Sequence, residues 1–377
     1  MYKIEMKFST SFIIYAYLRC FIGLTTAMSV IPVLVTIYFI IMILLLPFPK
    51  DYSIYSEKFI YAMYQSMLIF FFDKLNFSTK IIMYGDYEKW FNKSGNSILI
   101  CNHQSYVDWM LINLLCIRRQ FMELSYISFM VKDSLKYIPY YGYYFYIHGF
   151  IYVSRGRSHS LEKTKNQLEK LKKRPNYNLV IYPEGTCYNL LNEVKLQKSK
   201  IFAAKNGFAE LHNVLFPRFH GLKVSLQVLN DSLKYVYNIT VFYESKNKDS
   251  VFIPSLKTFI LGYFEYIHIN IEQFDILEIK RQIGDYDDDN IKKWLYKTFS
   301  QKDEMISQFK NGRSWGKGYE AKCPTFPPLL STLVCIFLVT ATLCIIILLS
   351  TIKMFIITTV IVIGLSVIMT MYAIISI

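Results

Sequence analysis

The chain has 377 residues, of which 53% are hydrophobic and 19% charged, and a formal net charge of +14. A mean hydropathy of +0.26 excludes a disordered chain and argues against an ordinary water-soluble domain. The apolar excess sits at the two ends. Residues 51–326 keep 37 basic against 27 acidic residues, a body of 276 residues large enough for one single-core domain or at most two small ones.

In chain order, the first element is a charge-free run from Cys20 to Phe48 with the core IPVLVTIYFIIMILLLPF. About 20 apolar residues cross a bilayer core of roughly 30 Å, and a helix satisfies its own backbone there. The pattern predicts a helix kinked at Pro32, with Ser11–Leu18 extending the span or lying in the interface. A cleaved signal peptide fits less well, because the apolar core is too long and no small-residue cleavage site follows.

The body then alternates. Short apolar runs predict buried strands over Lys80–Tyr84, Ser97–Cys101, Ser125–Val131, Phe150–Ser154, Leu179–Tyr182, Tyr237–Tyr243 and Ile267–Ile271. Between them, helices are expected over Asp108–Arg118, Ser160–Lys173 (with Leu161, Leu168 and Leu171 on one face), Lys198–Asn206 and Asn290–Phe309. The alternation argues an α/β fold with a largely parallel mixed sheet flanked by helices, and loops after strand ends as the place for chemistry. Two more spans close the chain, Leu329–Ser350 and Met354–Ile377, with Lys353 between them. A lysine at mid-bilayer costs about 2.5–3.5 kcal/mol, so a helical hairpin is favoured over one long helix. Lys310, Arg313, Lys317 and Lys322 upstream put the body in the cytosol by the positive-inside rule.

The seven cysteines (20, 101, 116, 187, 323, 335, 344) are scattered, with no C-x-x-C, so neither a disulfide framework nor a zinc cluster is expected. The sequons at Asn76, Asn92, Asn230 and Asn238 are chance matches in a cytosolic body. Positive charge alone also suits nucleic acid, but no basic–aromatic RNA motif accompanies it, and the membrane spans argue against that partner.

Two turns carry the chemistry. After Ile98–Cys101 come Asn102-His103-Gln104-Ser105-Tyr106-Val107-Asp108-Trp109. Five positions on one helix turn two side chains roughly 140° apart, so His103 and Asp108 meet only if the histidine lies on the turn before the helix. Asp108 then fixes the tautomer and leaves the other ring nitrogen free to take a proton. After Leu179–Ile181 come Tyr182-Pro183-Glu184-Gly185-Thr186, where Gly185 permits a tight turn. Gly149–Arg155 ends another strand in a guanidinium, whose planar fork suits a phosphate, and Phe216-Pro217-Arg218 follows Val214-Leu215. Each turn alone is ordinary; four in this order are not.

These four segments resemble the ordered motifs of the glycerolipid acyltransferases. The resemblance covers roughly residues 60–310 and the tail, and is closer to the epsilon-like eukaryotic branch of the 1-acylglycerol-3-phosphate acyltransferases. Leu135–Pro139, Trp294–Phe299 and Lys302-Asp303 support that branch. The resemblance implies transfer of an acyl chain from acyl-CoA, as co-substrate and without a cofactor, to the hydroxyl of a lysophospholipid. It implies His103 as general base, Asp108 as its orienter, and Arg155, Glu184, Gly185 and Thr186 around the acceptor's glycerol phosphate. Lys132 and Arg218 are weaker phosphate ligands. One residue departs from the family: Cys187 stands where an arginine usually follows E-G-T.

The chain is therefore expected to divide into an N-terminal membrane anchor (1–50), an acyltransferase domain (51–311), a linker (312–328) and a C-terminal transmembrane hairpin (329–377). Its expected partners are acyl-CoA, a lysophospholipid and membrane lipids, in the endoplasmic reticulum or alternatively the mitochondrial outer membrane. Lysophosphatidic acid is the first acceptor. Lysocardiolipin or lysophosphatidylinositol is the alternative, and a non-catalytic lipid-binding protein on the same scaffold is the third reading.

Overall fold

The computed structural model describes residues 9–74, 79–92, 95–154, 159–246, 254–284, 286–322, 324–349 and 361–372. The apolar N-terminal run forms α1 (Thr10–Leu44), capped by Ser9, whose Oγ accepts from Phe12 N at 3.2 Å. The helix continues through Pro32, where the missing N–H removes only one bond from the ladder. At about 1.5 Å per residue its 35 residues are long enough to cross a bilayer core. It is followed by α2 (Lys50–Ile69), which has no counterpart among the expected elements. Every residue from Ile60 to Ile69 is buried. A helix enclosed on all sides has no amphipathic stripe, so no 3.6-residue period marks it in the sequence.

The body consists of β1 (Lys80–Gly85), α3 (Tyr87–Asn92), β2 (Ser97–Cys101), α4 (Asp108–Ile117), β3 (Ile127–Lys132), α5 (Tyr141–Ile147), β4 (Ile151–Val153), α6 (His159–Lys172) and β5 (Asn178–Ile181). It continues with α7 (Glu193–Lys205), α8 (His220–Leu229), β6 (Tyr235–Ser245), α9 (Leu256–Ile260), β7 (Phe264–Asp275), α10 (Ile276–Ile283) and α11 (Asp288–Lys310). The strands form one eight-stranded sheet in the order β4-β3-β5-β2-β6-β7-β1-β8, where β8 is Tyr319–Glu320. Only β6–β7 and β1–β8 pair antiparallel, so the sheet is largely parallel, as expected.

Alternation along the central strands feeds two cores. Ile98, Ile100, Leu179 and Ile181 point to the face covered by α6, α8, α10 and α11. Leu99, Cys101 and Val180 point to the face covered by α2 and α4. With both faces covered, the central strands read as continuous apolar runs. Because β3, β5, β2 and β6 run parallel side by side, their carboxyl ends and the loops leaving them gather at one end of the sheet.

Several boundaries differ from expectation. Ser125 and Tyr126 belong to a 3-10 turn, held by the Ser125 hydroxyl donating to Met122 O at 2.6 Å. The β6 and β7 strands run past their apolar centres as a long antiparallel pair. In α6, Leu161 is exposed; the buried stripe is Thr164, Gln167, Leu168 and Leu171, because the Gln167 amide is engaged with the backbone of Tyr152. Residues 312–328 are not a free tether, since β8 lies within them and pairs with β1. Their last three residues already belong to α12 (Phe326–Leu349), and α13 (Ile361–Tyr372) lies further on. Lys353 and Cys323 lie outside the described residues. Among the described residues, α1 and α12 are the helices long and apolar enough to cross a membrane.

Helix α2 joins these helices to the sheet. It packs on α1 and α12, and Glu57 reaches the body, where its Oε1 lies 2.5 Å from His148 Nδ1. The other ring nitrogen of His148 faces the carbonyl of Ile127 at 2.9 Å, at the start of β3.

Candidate active site

The site lies at the carboxyl ends of β2 and β5. Asn102 closes β2: its Nδ2 donates to Val241 O at 2.9 Å and its Oδ1 accepts from Val241 N at 2.7 Å. The side chain thus replaces one rung of the β2–β6 ladder and lets the chain turn away. His103 stands on that turn, and α4 begins at Asp108. The two side chains therefore meet, with Nδ1 2.9 Å from Asp108 Oδ2. The same oxygen accepts from Gln104 N at 2.7 Å and Ser105 N at 2.9 Å, and Oδ1 accepts from the Tyr243 hydroxyl at 2.6 Å. Four donors converge on a carboxylate that is 1% exposed, so its orientation is locked. A carboxylate facing Nδ1 requires the proton there, which leaves the lone pair on Nε2. The His103 ring stacks on Tyr182 with centroids 4.4 Å apart.

Glu184 joins the two turns. Its Oε1 accepts from His103 N at 2.6 Å and its Oε2 from Leu215 N at 2.8 Å. Burial pushes its carboxyl up to about 8, while the two N–H groups pull it the other way. Both oxygens are taken up inside the protein, so Glu184 positions the backbone under the histidine. Gly185 follows at φ +66, the left-handed region that favours glycine. Arg218 N donates to Pro183 O at 2.8 Å, bringing the fourth motif against the third, with the Arg218 side chain exposed. Thr186 Oγ1 accepts from Lys195 Nζ at 3.2 Å. Lys132 ends β3 and, with Lys195, exerts a positive field on Cys187. Neither lysine has a carboxylate within ion-pair distance among the described residues. Arg155 lies outside the described residues.

Cys187 occupies the open side of the histidine, with Sγ 3.2 Å from Nε2. Burial pushes the thiol up to about 12, reinforced by the carboxylates of Asp108 and Glu184. The thiol is therefore a neutral donor resting on Nε2, the ring nitrogen that faces away from Asp108. Beneath the site, the buried Lys302 donates to Ile239 O at 2.6 Å and Ile100 O at 3.3 Å, tying α11 to the middle of β6 and the end of β2. Burial pulls that ammonium down to about 8. Asp303 accepts from the backbone N–H groups of His212 and Asn213 and so fixes the loop leading to Leu215.

The sequence does not announce Tyr243, Lys195 or the contact of Cys187 with His103. Tyr243 ends a strand as an ordinary aromatic residue, and Lys195 is one of several lysines in α7; neither has a local signature. Glu184→Gln tests the clamp. The amide would turn an NH2 toward one of the two backbone N–H groups. The expected loss is about 1–3 kcal/mol of stability, read as a lower midpoint of thermal unfolding, together with at least about tenfold lower turnover as His103 shifts. An unchanged midpoint would remove Glu184 from this role.

A buried carboxylate against a histidine at the strand ends of a parallel sheet suits acid–base chemistry, and the family matches make the protein an acyltransferase. The family described as Acyltransferase matches residues 85–219, and the one described as Acyltransferase C-terminus matches residues 261–339. The chain is 35% identical over 255 residues to 1-acyl-sn-glycerol-3-phosphate acyltransferase epsilon of Mus musculus, covering 66% of this chain and 67% of that one. It is 33% identical over 290 residues to the probable 1-acyl-sn-glycerol-3-phosphate acyltransferase 5 of Arabidopsis thaliana, covering 76% and 72%. To the 2-acyl-1-lysophosphatidylinositol acyltransferase of Saccharomyces cerevisiae it is 30% identical over 252 residues, covering 57% and 61%. The chain belongs to the 1-acyl-sn-glycerol-3-phosphate acyltransferase family.

Proposed function

We propose that this enzyme transfers an acyl chain from acyl-CoA to the sn-2 hydroxyl of 1-acylglycerol-3-phosphate, giving phosphatidic acid, with His103 as general base. The observation that carries the reading is the 2.9 Å contact between His103 Nδ1 and a fully buried, four-fold bonded Asp108. The acceptor hydroxyl takes the place of the Cys187 thiol at Nε2. As its oxygen attacks the thioester carbonyl, Nε2 takes its proton, and the imidazolium is stabilised by Asp108. Collapse of the tetrahedral oxyanion breaks the carbon–sulfur bond, and the CoA thiolate recovers the proton from Nε2. No cofactor enters the reaction. The mouse and plant relatives, named as 1-acyl-sn-glycerol-3-phosphate acyltransferases, support this acceptor.

Lys132, Lys195 and Arg155 are assigned to the acceptor phosphate. Lys195→Ala is expected to raise KM for lysophosphatidic acid about tenfold, the effect of one charge-assisted hydrogen bond, with kcat little changed. A kcat loss at constant KM would instead make Lys195 a positioning residue. The second reading, an inositol-bearing acceptor, is favoured by the match to the yeast enzyme. Purified protein supplied with acyl-CoA and a panel of lysophosphatidic acid, lysophosphatidylinositol and lysocardiolipin separates the two.

The reading also takes α1, α12 and α13 as membrane helices, with residues 51–311 as the catalytic body on the cytosolic side of the endoplasmic reticulum. The basic flank Lys310, Arg313, Lys317 and Lys322 supports that orientation.

A further inference from the structure

The loops that leave β2, β3 and β5 at the catalytic end of the sheet expose apolar side chains. Tyr106 follows β2 and is 69% exposed, with its ring 6.4 Å from that of His103. Tyr137 follows β3 and is also exposed. After β5 the chain carries Leu191, 83% exposed, the most exposed large hydrophobic side chain among the described residues. Its position is built. Asn189 Oδ1 accepts from Leu191 N at 2.8 Å, and Asn192 caps α7 by accepting from Lys195 N at 3.1 Å. Within α7, Val194, Lys198, Ile201, Phe202 and Lys205 fall on an arc of about 100°. All five are exposed. The first turn of that helix is tied to the active-site turn through Lys195 and Thr186.

Apolar side chains interleaved with lysines on one exposed face match a helix lying in a lipid interface, where the stems of the lysines remain in apolar surroundings and their heads meet anionic headgroups. A second copy of the chain would bring the same lysines against each other and is disfavoured by charge. We propose that Leu191 and the outer face of α7, with Tyr106, insert into the headgroup region of an anionic leaflet and hold the mouth of the site at the depth of the acceptor's glycerol. This rests on the reading that the acceptor is a lysophospholipid. It adds a contact, next to the chemistry, separate from the long apolar helices.

The test uses the full chain in vesicles of phosphatidylcholine and phosphatidylserine, comparing the parent with the double variant Leu191→Glu, Val194→Glu. Acyl transfer is measured to a long-chain lysophosphatidic acid held in the bilayer and to a short-chain one dissolved as monomer. The variant is expected to lose about tenfold or more in kcat/KM for the bilayer acceptor. For the monomeric acceptor it stays within about twofold of the parent, as exposed substitutions usually do. Equal losses on both acceptors, or no loss on either, overturn the proposal. So does a variant that breaks up a dimer in detergent while keeping its bilayer activity. A parent inactive on both acceptors overturns the acceptor reading instead. Independently, Leu191→Trp is expected to add fluorescence that brominated lipid chains quench; added fluorescence that these lipids leave unquenched overturns the insertion.

Discussion

His103→Ala is expected to lower kcat for acyl transfer by about 10²–10⁴-fold, the range for removal of a positioned general base. The fold should survive. The ring is on the protein surface side of its turn, with a side chain 19% exposed, and its polar contacts are Asp108 and Cys187. The Asp108 carboxylate keeps its two backbone N–H groups and the Tyr243 hydroxyl when the ring is gone. A thermal midpoint close to that of the parent, with turnover collapsed and KM for acyl-CoA unchanged, is the expected signature. Turnover within a small factor of the parent would end the role of His103 as base and leave proton transfer to solvent.

Asp108→Asn is expected to have an effect of the same order, about 10²–10⁴-fold, through a different cause. An amide oxygen in the place of Oδ2 could still accept from the turn, but it carries no charge to stabilise the imidazolium that forms during attack. With the amide nitrogen in that place instead, three donors would meet a donor, and Nδ1 would have to give up its proton. The proton would then sit on Nε2, the wrong nitrogen for a base. On the proposed mechanism His103 and Asp108 act as one unit, so the double variant is expected to be little worse than either single change. Losses that multiply would mean that the two residues serve separate steps.

The site was legible in the sequence where chemistry and local geometry coincide. His103 and Asp108 cannot meet on one helix, so the strand–turn–helix arrangement followed from their spacing, and α4 begins at Asp108. Gly185 announced its turn because a positive φ suits glycine. The strand cores were legible because buried parallel strands read as apolar runs. What could not be read came from distant contacts. Tyr243 reaches Asp108 across 135 positions, and Lys302 reaches Ile100 across 202. Glu184 was read as a residue that shapes the acceptor site; the structure gives both its oxygens to backbone N–H groups, a use no local pattern announces. Helix α2 escaped because its second half, Ile60–Ile69, is buried all round and carries no amphipathic stripe.

That enclosed helix has a mechanical consequence. One side of α2 packs on the apolar helices α1 and α12, and through Glu57 and His148 it grips the carbonyl of Ile127, from which β3 runs five residues to Lys132. This route runs without a break from the apolar helices α1 and α12 to the sheet. On the proposed membrane placement, a change in the tilt of α1 and α12, such as bilayer thinning or transfer to detergent, is expected to reach the Lys132 ammonium at the end of that strand.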